Sequence, residues 1–162
     1  MTLTLLVLRH AHAAAPPPGT RDADRPLDAR GQDEARTVGS RVRAAAPQVV
    51  LCSPARRARE TLEALALPRS VLVDTDPRLY LADADMLLDA VRDAGTLAEE
   101  AGTVLVVGHN PGLHELVLEL TGGERIPRFP PAALAVLELE PDEWWQASPG
   151  SARLAALVLP TR

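Results

Sequence analysis

The stretch LTLLVLRH, from Leu3 to His10, decides the fold that the sequence indicates. Its apolar part, Leu3 to Leu8 with Thr4 inside, is typical of a central strand that is buried on both faces of a sheet. Arg9 and His10 follow directly, so this strand is expected to end in two side chains that can handle a charged group. The run has no basic segment before it and is too short for a signal peptide or a membrane span. We therefore expect a cytoplasmic protein without a membrane partner.

Strand patterns alternate with helix patterns along the rest of the chain. Apolar residues at helical spacing predict helices at 28–45, 54–67, 83–101 and 113–120. Short apolar runs predict strands at 49–52, 71–73, 103–107, 133–139 and 152–159. This alternation predicts an α/β fold, a three-layer sandwich with helices on both faces of a mostly parallel central sheet. The two late strands are expected to be antiparallel edge strands. We expect residues 1–162 to form a single domain and a monomer.

The chain contains no lysine, and all 17 of its basic residues are arginine. A Walker A phosphate loop and a Schiff-base enzyme are excluded, because both need a lysine side chain. The net charge of -5 and the scarcity of aromatic residues argue against a nucleic-acid partner. The single cysteine, Cys52, excludes an internal disulfide and a cysteine zinc cluster. A phosphate site in this chain must therefore use arginine, histidine or backbone N–H groups.

Polar motifs follow three of the predicted strands. They are RH at 9–10, SPARR at 53–57 and GHNP at 108–111. Open α/β sheets bind their ligands beyond the carboxyl ends of the strands. Ser53 and Asn110 are favourable N-cap residues and a proline follows each, so two of these strands are predicted to run directly into helix N-termini, which attract anions. With the arginine and histidine side chains added, the sequence predicts a cationic pocket suited to phosphate.

Four segments together resemble the histidine phosphatase superfamily, which has the phosphoglycerate mutase-like fold. They are LRH at 8–10, RPLxxxG at 25–31, SPxxRAxxT at 53–61 and GHNP at 108–111. Each lies at a predicted strand or helix boundary. The short chain and the RPL and GHNP segments are most similar to the small SixA-type phosphohistidine phosphatase branch. The resemblance covers residues 3–120, with compatible strands after them.

The resemblance implies a phosphatase that needs no cofactor and no metal ion. His10 would be the nucleophile that takes the phosphoryl group, and water would then hydrolyse the phosphohistidine. Arg9 and Arg57 would hold the phosphate, and His109 would donate to one of its oxygens. Arg25 is a further candidate for phosphate binding. The substrate would be a phosphomonoester or a protein phosphohistidine, carried by a phosphorylated protein or a small phosphorylated metabolite.

One departure from the family's pattern follows the nucleophile. Ala11 stands where the family usually has glycine, and alanine does not take a positive φ freely. The local turn is therefore expected to differ slightly from the family's.

A second departure concerns the proton donor. Many members carry a glutamate soon after the third strand, and here Arg78 lies near that place. Asp83 and Asp85 follow closely and are candidate donors, while Asp22 and Asp24 in the early loop stay open as alternatives. A weak or absent acid favours a labile substrate such as phosphohistidine, because imidazole leaves more easily than an alkoxide.

Three other functions are considered for the same chain. His10 and His12 have the spacing of a metal pair, which would suit a metal-dependent hydrolase, but residues 13–15 are all alanine and supply no further ligand. A cysteine phosphatase would need an arginine six positions after its cysteine, and Ala58 stands there. A phosphate-binding or phosphoprotein-binding module with weakened chemistry is the alternative from outside the enzymes.

Overall fold

The computed structural model of the protein describes residues 2–98 and 100–161. Its strands are β1 (Leu3–Arg9), β2 (Val49–Cys52), β3 (Leu72–Thr75), β4 (Thr103–Gly108), β5 (Leu134–Leu139) and β6 (Ala152–Val158). Its α-helices are α1 (Ala29–Ala45), α2 (Arg56–Ala64), α3 (Ala84–Leu97) and α4 (Gly112–Leu120). Short 3-10 turns lie at Asp22–Asp24, Pro77–Leu79 and Trp144–Gln146.

All six strands form one sheet, in the order β3-β2-β4-β1-β5-β6. The first four in that order pair in parallel, whereas β5 pairs antiparallel with β1, and β6 antiparallel with β5. Strand β1 therefore lies inside the sheet, between β4 and β5, as its apolar run predicts. The predicted fold class is confirmed, a mostly parallel sheet with two antiparallel strands from the C-terminal part of the chain.

The sheet is covered by helices on both faces. Leu5 and Val7 of β1 pack into one apolar cluster together with α3 and α4. Leu6 and Leu8 point the other way and pack into a second cluster with α1 and α2. All four side chains are fully buried. Successive residues of a strand face opposite sides of a sheet, so the continuous apolar run of β1 reflects burial on both faces.

Two predicted helix caps are wrong. Helix α2 begins at Arg56 rather than at Pro54 and has Ala55 at its N-cap, while the Ser53 hydroxyl accepts a hydrogen bond from Ala55 N (3.2 Å) in the turn before it. Helix α4 begins at Gly112, and Asn110 does not cap it. Its Nδ2 donates instead to the backbone oxygen of Phe129, at 2.7 Å.

Aspartate caps hold the other two helices where they were predicted to begin. Asp28 caps α1 by accepting from Gly31 N, and Asp83 caps α3 by accepting from Met86 N. Helix α3 ends at Leu97, four residues before the predicted end, because Ala98 has an extended backbone. In the ranges 2–98 and 100–161, no helix combines the length and the apolar character needed to cross a membrane.

Candidate active site

The carboxyl ends of β1, β2 and β4 meet at one edge of the sheet. The amide of His10 donates to the backbone oxygen of Gly108 (3.0 Å), and the amide of Ser53 donates to that of Val107 (3.0 Å). A cleft of about 390 Å³ opens at this edge. It is lined by Arg9, His10, His12, Ala13, Asp22, Arg25, Arg57, Leu81, His109, Asn110 and Pro131. A larger groove of about 990 Å³, between α1 and the C-terminal residues, shares none of these side chains.

The structure brings together most of the candidate residues. Arg9, His10, Arg25, Arg57 and His109 all line the cleft. Three of them are almost completely buried, with exposed fractions of 9% for His10 and 3% for both Arg57 and His109. Charged and polar groups are rarely buried to this degree unless they are paired or used.

His10 is held in one orientation by its own neighbour. Its Nδ1 lies 2.8 Å from the backbone oxygen of Ala11, which can only accept, so Nδ1 carries the ring proton. The other ring nitrogen, Nε2, accepts from Nε of Arg57 at 3.3 Å. Burial lowers the pKa of His10 to about 4, so the imidazole is neutral at pH 7. A neutral ring with a lone pair on Nε2 is the form that can attack phosphorus.

Arg57 joins the two buried histidines. Its Nη2 lies 3.3 Å from Nδ1 of His109, and because arginine only donates, this ring nitrogen is the acceptor. The proton of His109 is then on Nε2, which donates to the Ser53 hydroxyl at 2.7 Å. Burial, with the nearby charge of Arg57, lowers the pKa of His109 to about 3. The rings of His10 and His109 are 5.3 Å apart between centroids.

An acidic residue lies on the open side of Arg57. Asp22, in the 3-10 turn of the early loop, accepts from Nη2 of Arg57 at 3.0 Å, and its backbone oxygen accepts from Nη1 at 2.8 Å. Tyr80 donates its hydroxyl to the same carboxylate. The hydrogen bond from Tyr80, together with that from Arg57, lowers the pKa of Asp22 to about 2. This carboxylate is therefore ionised at neutral pH.

The hydroxyl of Thr61 ties two parts of the site together. It accepts from the amide of Ala11 at 2.9 Å and donates to the backbone oxygen of Arg57 at 2.7 Å. Thr61 and Ala11 are fully buried. Ala11 thus makes two hydrogen bonds at the site. Its backbone oxygen accepts from His10, and its amide donates to Thr61. Ala11 is not among the residues with a positive φ, so the turn accommodates alanine there.

Gly31, the last residue of the RPLxxxG segment, is required by a close backbone approach. A Cβ at this position would lie 2.0 Å from the backbone oxygen of His12. Asp28, three residues earlier, caps α1 with one carboxylate oxygen and meets Nδ1 of His12 with the other, at 2.5 Å. The segment therefore fastens the start of α1 to the chain that leaves β1.

Gly112 permits a second close approach on the other side of the cleft. A Cβ on Gly112 would lie 2.0 Å from the backbone oxygen of Ala82. The contact packs the start of α4 against the loop that carries Tyr80 and Leu81. Leu81 lies at the rim of the cleft with a φ of 50° and 57% of its surface exposed.

Two side-chain nitrogens of the cleft arginines are buried without a hydrogen-bond partner. They are Nε of Arg9 and Nε of Arg25, and the carboxamide oxygen of Asn110 is in the same situation. Within the part of the chain that the structure describes, these are the only buried side-chain nitrogen or oxygen atoms left unpaired. Unpaired donors of this kind cost free energy, which an anionic ligand would recover.

The candidate proton donors Asp83 and Asp85 do not line the cleft. Asp83 caps α3, because one of its carboxylate oxygens accepts from Met86 N at 2.9 Å. Asp85 lies in the first turn of that helix. Arg78, near the place of the family's usual glutamate, pairs with Asp76 and Asp93. The carboxylate that does line the cleft is Asp22, which the sequence left as one of several alternatives.

The described residues do not supply His10 and His12 with a third ligand for a metal ion. Nδ1 of His12 is engaged by Asp28, and nowhere in residues 2–98 and 100–161 do three or more histidine, cysteine, aspartate or glutamate side chains gather as a metal site would require.

Sequence reasoning missed Tyr80 and the role of Thr61. Tyr80 lies in a loop, and no pattern in the sequence links it with Asp22. Thr61 ends the SPxxRAxxT segment, and its spacing of four residues from Arg57 was the available signal, because residues four apart share one face of a helix.

Comparison with known proteins points to one family. The family described as Histidine phosphatase superfamily (branch 1) matches residues 5–80. The protein named phosphohistidine phosphatase SixA of Escherichia coli (strain K12) is 31% identical over 168 residues, which cover 96% of this chain and 100% of that protein.

Solved structures agree with that family. A candidate phosphohistidine phosphatase SixA from Nakamurella multipartitia superposes with a TM-score of 0.87 at 29% identity, covering 100% of this chain and 98% of that one. The protein histidine phosphatase SixA complexed with tungstate superposes with a TM-score of 0.77 at 28% identity, covering 96% of each chain.

Proposed function

This chain belongs to the histidine phosphatase superfamily, and from that premise we propose that it is a phosphatase whose His10 accepts the phosphoryl group. Its substrate is a phosphomonoester or, as we favour, a phosphohistidine on a protein. The observation that carries the proposal is the state of His10, a buried, neutral imidazole. Its Nδ1–H donates to the backbone oxygen of Ala11, and its Nε2 accepts from Arg57.

The surroundings of His10 suit a phosphoryl group. Arg9, Arg25 and Arg57 supply guanidinium donors, which match phosphate oxygens in pairs. Two of these arginines, Arg9 and Arg25, have a buried Nε without a hydrogen-bond partner. Donors fixed before the substrate arrives stabilise the charge of the transition state without reorganisation. A SixA protein of similar structure was solved in complex with tungstate, an oxyanion, which supports an anion site in this fold.

The reaction has two steps in this proposal. Nε2 of His10 attacks phosphorus, the bond from phosphorus to the leaving group breaks, and its electron pair goes to the leaving group. Water then attacks the phosphohistidine, the P–N bond breaks, and its electron pair returns to Nε2. Arg57 exchanges its present contacts for phosphate oxygens during both steps, and His109 donates to a phosphate oxygen through a ring N–H.

The weakness of the cleft carboxylate as a proton donor favours phosphohistidine as the substrate. The cleft carboxylate, Asp22, has a pKa of about 2 because of its hydrogen bonds from Tyr80 and Arg57, so it is a poor proton donor at neutral pH. An alkoxide needs strong protonation to leave, whereas imidazole leaves more readily. The E. coli relative named phosphohistidine phosphatase supports the same choice.

Trapping of the phosphoenzyme tests the proposal. The protein is mixed briefly with a ³²P-labelled phosphohistidine protein or a labelled aryl phosphate in the presence of a chelator, and quenched in base. We expect a base-stable, acid-labile label on His10 that is absent in His10→Asn. His114→Asn is the matched control, because His114 bonds to Ile126 outside the cleft.

Three other outcomes would contradict the proposal. A label on a different residue would contradict the mechanism, and turnover that the chelator abolishes would favour a metal-dependent hydrolase. Binding of phosphoprotein without any turnover would favour a binding module.

A further inference from the structure

His12 lines the same cleft as His10, and the chemistry above gives it no task. Four cleft residues other than arginine are ionisable, namely His10, His12, Asp22 and His109. His10 is the proposed nucleophile. Asp22 is held as an anion, and burial keeps His109 neutral, with a pKa of about 3. Of the ionisable groups lining the described cleft, His12 is thus the one to which the reaction above gives no role.

The ring of His12 is held in place by an aspartate. Nδ1 of His12 lies 2.5 Å from Oδ2 of Asp28, while Oδ1 of Asp28 accepts from Gly31 N at 2.8 Å. The carboxylate is therefore fixed from two sides. Burial opposes its ionisation, but the hydrogen bonds from Gly31 and His12 hold the pKa of Asp28 below its usual value. An aspartate that bonds Nδ1 fixes the orientation of the imidazole ring.

The backbone of His12 is fixed as well. Its amide donates to Oε1 of Glu34 at 3.1 Å, and its oxygen accepts from Asp28 N at 3.3 Å and packs against Gly31. The side chain is half-buried, with 36% of its surface exposed. Nε2 is the ring nitrogen that Asp28 does not use. Histidine is the side chain used most often as a general acid or base near neutral pH.

We propose that His12 is the proton donor to the leaving group, and that Asp28 is its positioning residue. This rests on the proposed function, because the acid acts on the bond that His10 breaks. His12 on the rim takes the place of the carboxylic acid, since Asp83 and Asp85 lie outside the cleft and Asp22 is anionic. A leaving group as labile as imidazole depends on this acid less than an alkoxide does.

The protons balance over the two steps. In the first, Nε2–H of His12 passes its proton to the atom that leaves phosphorus, while Nε2 of His10 forms the P–N bond. His12 is then neutral. In the second step it takes a proton from the attacking water, the P–N bond breaks, and inorganic phosphate is released. His12 is protonated again, and Asp28 remains ionised throughout.

A leaving-group series tests this role. The wild-type protein and His12→Gln are compared on phosphomonoesters of equal charge. The series runs from p-nitrophenyl phosphate, whose leaving group needs little protonation, to phenyl phosphate and then an alkyl phosphate. We expect the loss of kcat/KM in the variant to be smallest on the first and to grow along the series to about 10²-fold or more on the last, the range of general acid catalysis. His114→Gln should follow the wild type throughout.

Asp28→Asn separates positioning from folding. Asparagine still caps α1 through its carboxamide oxygen, but its NH₂ group would face Nδ1 of His12 and clash with the Nδ1–H that the proton-donating imidazolium carries. We expect the same dependence on the leaving group as in His12→Gln, with a smaller loss, and an unchanged unfolding midpoint in urea.

The results divide cleanly between the two proposals. Losses in His12→Gln that are equal across the series, or no loss, would overturn the role of His12 and leave His10 as the nucleophile. Failure of the wild type to form a phosphoenzyme on His10 would overturn the proposed function, and the role of His12 with it.

Discussion

Asp22 holds the guanidinium of Arg57 through two acceptors at once, its carboxylate on Nη2 at 3.0 Å and its backbone oxygen on Nη1 at 2.8 Å. Both N–H groups are donors that a phosphate would use. A substrate phosphate therefore competes with a carboxylate of the protein itself, and the early loop that carries Asp22 takes part in anion affinity.

Removal of the charge on Asp22 should tighten phosphate binding. In Asp22→Asn the carboxamide competes less for Arg57, and its repulsion of the phosphate dianion is lost. The carboxylate is 44% exposed, so we expect the inhibition constant of inorganic phosphate to fall by no more than about fivefold, or about 1 kcal/mol. Asp24→Asn is the control, because Asp24 pairs with the exposed Arg21 in the same turn. Weaker phosphate binding in Asp22→Asn would show that Asp22 orients Arg57 more than it competes.

Loss of the Thr61 hydroxyl should displace the ring of His10, because Thr61 holds the residue that orients it. In Thr61→Val the buried amide of Ala11 loses its acceptor, which costs about 1–3 kcal/mol of stability. We expect kcat to fall by about tenfold or more, since displacement of a reacting atom by ~1 Å can cost about a hundredfold. Thr61→Ser should restore both. The ¹⁵N shifts of the His10 ring report tautomer and hydrogen bonding directly, and unchanged shifts with unchanged kcat would refute the link.

The buried histidines should make the protein less stable in weak acid. The folded pKa values of His10 and His109, about 4 and about 3, lie below the ordinary value of 6.5, so the unfolded chain binds protons first as the pH falls. Their contribution is complete above pH 6.5 and is lost as the pH falls from there through the folded values. Urea unfolding at pH 7, 5.5 and 4 measures this loss. The decline should be shallower in the double variant His10→Gln/His109→Gln, and an equal decline would assign it to other groups.

Two glycines should respond to alanine in opposite directions. Gly31→Ala sets a Cβ against the backbone oxygen of His12, at 2.0 Å before relaxation, and we expect a loss of about 3 kcal/mol or more in unfolding free energy. A Cβ on Gly95, inside α3, would meet Trp144 at ordinary contact distance, 3.6 Å. Gly95→Ala should therefore stabilise the protein by about 0.5–1 kcal/mol. Chemical denaturation of both variants checks the pair, and a neutral Gly31→Ala would contradict the close approach.

The parts of the fold that depend on local pattern could be predicted from the sequence. Strand β2 has the predicted bounds, Val49–Cys52, and β1 is central as its apolar run indicates. Because the ends of parallel strands meet at one edge, the motifs after β1, β2 and β4 also led to the cleft that holds Arg9, His10, Arg57 and His109.

The parts that depend on distant partners could not be predicted. Ser53 and Asn110 look like helix caps in sequence, but their side chains meet His109 and Phe129, which only the folded sheet brings near. The proximity of Asp22 to Tyr80 joins two loops that lie 58 residues apart. Contacts between distant loops leave no periodic pattern in the sequence.

Residue 11 contributes to the site through its amide and its carbonyl oxygen, which every residue except proline provides in the same form. Its side chain is completely enclosed, so size is what restricts it. The hydrogen bonds at this position are therefore the same for glycine and alanine, since neither uses the side chain. A search for related enzymes that demands glycine after the nucleophilic histidine would discard proteins whose catalytic groups are intact.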